Sequence, residues 1–223
     1  MAKNILIFGA HPDDAETGCG GTICRYVAEG CRVHVIHMTC SKPVRAEESQ
    51  AAAKIMGATV EGWDFPDGKM AVDAAGVQRV QDKISQFKPD LVFGHWPVDF
   101  HPDHQAVGCL MMRALNNLEL QGAPAPWPEL YLFQAAAGYQ TYHFHPNVYV
   151  DITAYRQRKR EAALCHASVN IARSYPIIET SNKAHGYAGG FSYAEAFIRV
   201  AFRRGRTRDN VVGEGCELPA GGE

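Results

Sequence analysis

Short apolar runs alternate along the chain with longer segments in which apolar side chains recur at helical spacing. The first apolar run, residues 4–9, is continuous and therefore predicts a strand that is buried on both faces. Strands are predicted at residues 4–9, 31–39, 59–63, 91–94, 129–134 and 148–150. Helices are predicted at residues 17–29, 44–56, 77–87, 105–118 and 155–166. This alternation predicts an α/β fold: a Rossmann-like, mostly parallel sheet with helices on both faces.

The length and the segment composition favour one folded unit followed by a tail. A chain of 223 residues fits one α/β domain, and no internal repeat or linker divides it. Residues 204–223 are rich in glycine, charged and polar residues. We therefore expect a single domain over residues 1–203 and a flexible C-terminal tail over residues 204–223.

Composition and charge exclude several classes of partner. Hydrophobic residues make up 46% of the chain and charged residues 21%, as in an ordinary soluble globular protein. The net charge of -2 provides no attraction to nucleic acid or to an anionic membrane, and no apolar stretch approaches a membrane span. The seven cysteines form no CxxC motif, so we expect reduced, buried thiols. With no signal peptide visible, these features predict a cytoplasmic protein with no nucleic-acid or membrane partner.

A polar cluster directly follows the first predicted strand. His11, Asp13 and Asp14 lie within four residues, and Pro12 stiffens the turn that carries them. In an open α/β sheet, ligands bind at the carboxyl ends of the strands. One imidazole and two carboxylates would be costly there unless something paired them, and a metal ion is the simplest partner.

A second polar cluster follows a later predicted strand, at the same end of the sheet. It contains His101, Asp103 and His104. Together with His11 and Asp14, His104 would fill three positions of a zinc ion and leave one for water, which is the pattern of a catalytic site. Asp13 is then placed to act as a general base. His101 and Asp103 are typical of an imidazole held by a carboxylate, which would favour a cation facing a developing oxyanion.

Other interpretations of these residues remain open. Each motif alone would also fit a turn with a capped helix start, but their joint occurrence at two strand ends favours a site. Two imidazoles and one carboxylate also describe non-haem iron centres, although the extra acid Asp13 favours hydrolysis. The glycines of residues 18–21 do not match GxGxxG, so a nucleotide-binding module is less favoured. The intact set of acid and base groups argues against a catalytically silent assembly protein.

Several further titratable residues have no decisive pattern. Glu16 fits equally a first-turn helix acid and a second partner of the site. His37 lies in a predicted strand, where we expect a packed or surface group. His95 and His166 lack a partner motif.

The motifs resemble those of the PIG-L/LmbE-like N-deacetylase family, zinc-dependent enzymes that remove acetyl from N-acetylglucosamine groups. The segments that carry the resemblance are residues 10–14, 18–22, 45–53, 101–104, 148–153 and 193–197. It extends from residue 4 to about residue 200. The motifs at 10–14 and 101–104 are specific as a pair, and the others support them.

The resemblance implies a function and a set of roles. His11, Asp14 and His104 would bind Zn²⁺, with Fe²⁺, Co²⁺ or Mn²⁺ as other candidates. Asp13 would be the catalytic base, and His101, oriented by Asp103, would stabilise the oxyanion or act as acid.

The implied substrate is a small acetylated amino sugar or glucosaminide, held in part by Arg45. An amidohydrolase that cleaves a non-sugar acylated amine is the alternative. The resemblance also implies a homo-oligomer, a trimer or a hexamer. Residues 39–44 are shorter than the corresponding loop of many family members, which predicts a more open rim around the sugar site.

Overall fold

A computed structural model describes residues 2–122, 127–135 and 139–200. The predicted tail at 204–223 lies outside the described residues. Within them, no helix is both long and apolar enough to cross a membrane.

Seven strands form one sheet in the order β3-β2-β1-β4-β5-β7-β6. The strands are β1 (Asn4–Gly9), β2 (Arg32–His37), β3 (Thr59–Gly62), β4 (Leu91–His95), β5 (Glu129–Phe133), β6 (Val148–Asp151) and β7 (Ala194–Val200). The first five pair in parallel, and β7 is antiparallel to both β5 and β6. The helices are α1 (Asp14–Ala28), α2 (Pro43–Met56), α3 (Ala74–Phe87), α4 (Pro102–Leu120), α5 (Arg156–Leu164) and α6 (Ile171–Gly189).

The predicted Rossmann-like, mostly parallel sheet with helices on both faces is confirmed. Side chains alternate across β1, so Leu6 and Phe8 enter one hydrophobic core while Ile5 and Ile7 enter the other. The first core lies beneath α3 and α4, and the second lies beneath α1, α2 and α5. Because both faces of β1 are covered, its sequence is a continuous apolar run rather than an alternating one.

The order of the strands brings the two polar motifs together. β1 and β4 are neighbours at the centre of the sheet, where the connections turn from one side to the other. α1 begins five residues after the end of β1 at Gly9, and α4 begins at Pro102, shortly after β4. Ligand sites in open α/β sheets form at this switch point.

Helix α1 is kinked just beyond the first motif. Cys19 has φ -142° and ψ 19°, and the Glu195 carboxylate accepts hydrogen bonds from the backbone N–H groups of Gly21 (2.9 Å) and Thr22 (2.7 Å). Lys159 is fully buried and binds Glu195 at 2.6 Å, so the carboxylate is neutralised. Glu195 therefore caps the second part of the helix, and the buried ion pair ties α5 and β7 to it.

Two elements of the C-terminal third were not predicted, namely α6 and β7. Helix α6 contains Pro176 and Gly186, both poor helix formers, which mask its periodicity. β7 is held by antiparallel pairing with β5 and β6, a long-range interaction that the local sequence does not reveal. The ends of the predicted elements differ from the observed ones by a few residues.

Candidate metal centre and active site

The first motif forms a strained turn between β1 and α1. Asp13 has φ 120°, in the left-handed region that non-glycine residues rarely adopt. Asp14 stabilises the turn, because its Oδ2 accepts a hydrogen bond of 2.7 Å from the backbone N–H of His11. Backbone strain of this kind costs about 1–3 kcal/mol and is concentrated at functional sites.

Asp14 lies at the centre of three imidazoles. Its Oδ2 is 3.1 Å from His95 Nε2 and 3.4 Å from His11 Nδ1, and its Oδ1 is 3.5 Å from His104 Nε2. Burial raises the pKa of Asp14, but the charge of His104 and hydrogen bonding from His11 hold it well below its usual value. Asp14 is therefore an ionised carboxylate in a buried position.

In two of these imidazoles, the nitrogen that faces away from Asp14 lies against a second carboxylate. His11 Nε2 lies 3.1 Å from Asp103 Oδ2, and His104 Nδ1 lies 3.2 Å from Asp99 Oδ1. The other nitrogen of each ring faces Asp14. A carboxylate behind a histidine fixes the ring and its tautomer, which is the usual environment of a metal-binding imidazole.

The donor set fits a divalent metal ion. Ligand atoms of His11, His101 and His104 lie within 4.8 Å of one another, as do those of Asp14, His95 and His104. Imidazole nitrogens and a carboxylate oxygen are the donors that zinc and other first-row metals prefer. The three ligands that the sequence predicted are divided between these groups: His104 belongs to both, His11 to the first and Asp14 to the second. His95 was not singled out.

The three imidazoles around Asp14 differ in charge. Burial lowers the pKa of His11, but Asp14 and Asp103 outweigh this effect and raise it to about 9. Burial also lowers the pKa of His104, and Asp14 and Asp99 raise it above its usual value. Burial and the charge of His104 lower the pKa of His95 to about 4, so His95 is neutral.

His101 lies beside the candidate metal ligands but is not held by the Asp103 carboxylate. Its ring centroid is 4.6 Å from that of His11 and 4.7 Å from that of His104. His101 is the N-cap of α4, and its Nδ1 accepts a hydrogen bond of 3.2 Å from the backbone N–H of Asp103. The Asp103 carboxylate instead accepts from the N–H groups of Gly68 and Met70, and contacts His11.

This arrangement differs from the expected pair in which Asp103 orients a cationic His101. Burial and the charges of His11 and His104 lower the pKa of His101. A neutral ring whose Nδ1 accepts a hydrogen bond carries its proton on Nε2, which can then donate to a ligand. The physical reason for the difference is the start of α4, which turns the Asp103 side chain towards His11 and the loop between β3 and α3.

Asp13 and Arg45 form one wall of the site. Arg45 Nη2 lies 3.1 Å from Asp13 Oδ1 and also donates to the carbonyl oxygen of Pro12. Burial and the charge of Asp14 raise the pKa of Asp13 to about 7, although Arg45 opposes this effect. Arg45 therefore contacts the candidate base directly.

A polar cleft opens next to these groups. It is lined by His11, Pro12, Thr39, Ser41, Lys42, Arg45 and Asp67. The short segment 39–44, which was predicted to border the substrate, thus forms part of its wall. Hydroxyl, ammonium and carboxylate groups in such a cleft suit a hydroxylated ligand.

Sequence reasoning missed several groups of the site. His95 ends β4 and Asp99 lies in the following loop, so their only signal was their position at the carboxyl end of a strand. Glu16, left open between two roles, is buried and lies 3.5 Å from His166 Nε2 and 3.9 Å from His37 Nε2. It is thus more than a first-turn helix acid.

Comparison with known proteins places this architecture in a family. The family model described as "GlcNAc-PI de-N-acetylase", PIG-L, matches residues 6–115. The uncharacterized deacetylase YaiS of Escherichia coli is 33% identical over 142 residues, which cover 56% of this chain and 76% of that protein. The chain belongs to the PIG-L family.

Two further relatives have names that differ in the reaction they describe. The diacetylchitobiose deacetylase of Thermococcus kodakarensis is 26% identical over 223 aligned residues, covering 86% of this chain and 81% of that protein. The 4-oxalmesaconate hydratase of Pseudomonas putida is 26% identical over 190 residues, covering 74% and 73% respectively. The family scaffold is therefore found in proteins named for both deacetylation and hydration.

The fold also matches solved structures. The conserved protein TT1542 from Thermus thermophilus has a TM-score of 0.78 and 26% identity, and the match covers 92% of this chain and 99% of that one. The match extends beyond the segment covered by the family model, so the α/β architecture is shared over most of the described chain.

Proposed function

We propose that this protein is a metal-dependent N-deacetylase that removes the acetyl group from an N-acetylglucosamine-type sugar or glucosaminide. One geometric observation carries the chemistry: His11 and His104 each face Asp14 through one nitrogen and a carboxylate through the other. Membership of the PIG-L family and the named deacetylases among its relatives support the sugar substrate.

In this proposal His11, Asp14 and His104 hold the metal, and zinc is the metal we expect. When bound, such an ion polarises an acetyl carbonyl and lowers the pKa of a coordinated water. His95 Nε2 lies 3.1 Å from Asp14 and accepts a hydrogen bond from the backbone N–H of Ala10, so the ring is packed in place beside the carboxylate ligand.

The remaining roles belong to the residues around the cleft. Asp13 accepts a proton from the attacking water and returns it to the amine nitrogen as the C–N bond breaks, which releases acetate and the free amine. Arg45 holds the Asp13 carboxylate in place. His101 donates from Nε2 to the oxygen of the acetyl group as negative charge develops there. Thr39, Ser41 and Asp67 supply hydrogen-bonding groups for sugar hydroxyls.

Two parts of the expectation remain predictions: a homo-oligomer, trimeric or hexameric, and a cytoplasmic location. A non-sugar acylated amine remains the alternative substrate for the same chemistry. This alternative substrate does not change the roles of Asp13 and the metal ligands.

Hydration of an unsaturated carboxylic acid is a second candidate function. The similarity to the Pseudomonas hydratase favours it, since the identity equals that to the diacetylchitobiose deacetylase. Both reactions add water to a trigonal carbon with the help of a base. The cations Lys42 and Arg45 at the cleft would suit a carboxylate-bearing substrate.

The two functions are separated by product analysis of the same preparation. Acetate release is measured from N-acetylglucosamine, its dimer, alkyl and aryl glucosaminides and non-sugar acetamides, with and without a chelator. In parallel, loss of the conjugated absorbance of unsaturated dicarboxylic and tricarboxylic acids is followed. Chelator-sensitive acetate release from the sugars supports the proposal. Cleavage of only the non-sugar amides refutes the sugar, and hydration without acetate release refutes deacetylation.

A further inference from the structure

A second buried polar cluster lies behind the candidate site, and the proposed reaction does not use it. Glu16, His37 and His166 are each at most 1% exposed. Among the described residues, both ring nitrogens of each histidine and Oε2 of Glu16 lack a hydrogen-bond partner within normal geometry. Apolar side chains would fill this space at lower cost, because buried polar groups with unmet hydrogen bonds are destabilising. The cluster therefore requires an explanation beyond packing.

Its position relative to Asp13 suggests that explanation. Glu16 follows Asp13 by three residues in the first turn of α1, where positions i and i+3 lie on the same side of the helix. The backbone N–H of Thr17 donates to the carbonyl oxygen of Asp13, so this turn is already helical. Any group that fixes Glu16 therefore fixes the turn that carries Asp13.

Helix α2 holds the segment of His166 against the same turn. Arg45 on α2 contacts Asp13, and Glu48, three residues later, accepts hydrogen bonds from the backbone N–H of Ser168 (2.7 Å) and from its hydroxyl (2.6 Å). One face of α2 thus links the candidate base to the segment that presents His166. That segment lies about 150 residues after Asp13 in the sequence.

The charges of the cluster are complementary. Burial lowers the pKa of His166, but Glu16 and Asp13 outweigh this effect and raise it. Burial raises the pKa of Glu16, but the hydrogen bond and the charge of His166 hold it below its usual value. His37 is the neutral member, since burial lowers its pKa.

We propose that His166 is a positioning residue: held against Glu16 at 3.5 Å, it fixes the first turn of α1 and thereby orients the Asp13 carboxylate for proton transfer. The catalytic half of this inference rests on the proposed deacetylase function. The structural half, that His166 sets the environment of Asp13, does not.

The kinetic test compares His166→Phe, His166→Gln and a control, Gln81→Leu, which removes a buried polar side chain from α3. We expect His166→Phe to retain its metal and its KM while kcat falls about 10- to 100-fold, as when a supporting partner is removed. His166→Gln keeps a hydrogen-bond donor and should have an intermediate kcat, and Gln81→Leu should keep the wild-type kcat. A wild-type kcat in the folded, metal-loaded His166 variants would overturn the proposal. A loss of kcat in Gln81→Leu as large as that in His166→Phe would also overturn it.

A spectroscopic measurement separates this inference from the proposed function. In ¹³C spectra of carboxyl-labelled protein, the Asp13 resonance should move in His166→Gln and stay in place in Gln81→Leu. An unmoved Asp13 resonance refutes the inference whatever the activity. If the wild-type protein releases no acetate from any substrate, the proposed function fails, while a moved resonance still supports the structural half. His166→Gln also keeps the test valid if the phenylalanine variant does not fold.

Discussion

Metal binding to this protein should release protons and strengthen as pH rises. His11 has a pKa of about 9 in the metal-free protein, because Asp14 and Asp103 outweigh the effect of burial. A raised pKa means that the ring is protonated below pH 9 and must lose its proton before it can bind a metal. At pH 7, two units below that pKa, only about one molecule in 100 has a neutral His11.

The magnitude of the effect follows from this difference. Protonation of His11 alone should lower the apparent metal affinity at pH 7 by about 100-fold, or about 2.7 kcal/mol, relative to the affinity of the protein with His11 fully deprotonated. The raised pKa of His104 adds to the effect in the same direction. Affinity should therefore increase by about tenfold for each unit of pH between 7 and 8 from His11, and the raised pKa of His104 makes this dependence steeper.

Calorimetry of Zn²⁺ or Co²⁺ binding in buffers of different ionisation enthalpy provides the measurement. We expect release of about one proton from His11 at pH 7, and less in Asp103→Asn, which lacks a carboxylate beside the ring. His185→Gln, a histidine on α6, serves as the matched control and should leave the proton count unchanged. Affinity that stays constant from pH 6.5 to 8, with no proton released, would refute the assignment of His11 as a protonated ligand.

Four further substitutions test single side chains. Asp13→Asn should keep its metal but lose about 100-fold or more in kcat, whereas His104→Ala should lose the metal. Elemental analysis and acetate release distinguish the two variants. A metal-free Asp13→Asn would show that Asp13 is a ligand. His101→Ala should lower kcat rather than raise KM, because a donor to the developing oxyanion acts in the transition state, and a pure rise in KM would contradict that role. Glu195→Gln should lower the free energy of unfolding by about 3–5 kcal/mol, since it leaves Lys159 buried without its counter-charge; an unchanged denaturant midpoint would count against this reasoning.

The parts of the site that the sequence predicted are those fixed by strand ends. His11 and Asp14 follow β1, and His104 follows β4, so the parallel order of the sheet alone brings them together. Periodicity was sufficient to place β1 and β4, because both are buried on two faces and their apolar runs are continuous. The helices α1 to α5 were also predicted from local sequence, in their case from apolar side chains at helical spacing within one segment.

The parts that were missed depend on side-chain direction and on contacts between distant segments. Asp103 was expected to orient His101, but the N-cap geometry of His101 directs the Asp103 carboxylate to His11. His95 ends a strand in which every residue is buried, so its polarity stood out only once Asp14 was placed beside it. No local pattern indicates that His166 would meet Glu16, because α2 and the Glu48–Ser168 contact create that meeting.

The distribution of charge across the site explains why so many acids can be buried in one turn. Asp13, Asp14 and Glu16 lie within four residues, and burial together with the charges of the other two acids raises the pKa of Asp13. Each has a separate cationic partner: Arg45 for Asp13, His166 for Glu16, and the imidazoles of the candidate metal centre for Asp14. A bound dication would take over the third role and repel the protons on the ligand imidazoles. The same arrangement that holds protons in the metal-free protein therefore prepares Asp14 to bind a metal while Asp13, one residue away, remains free to exchange a proton.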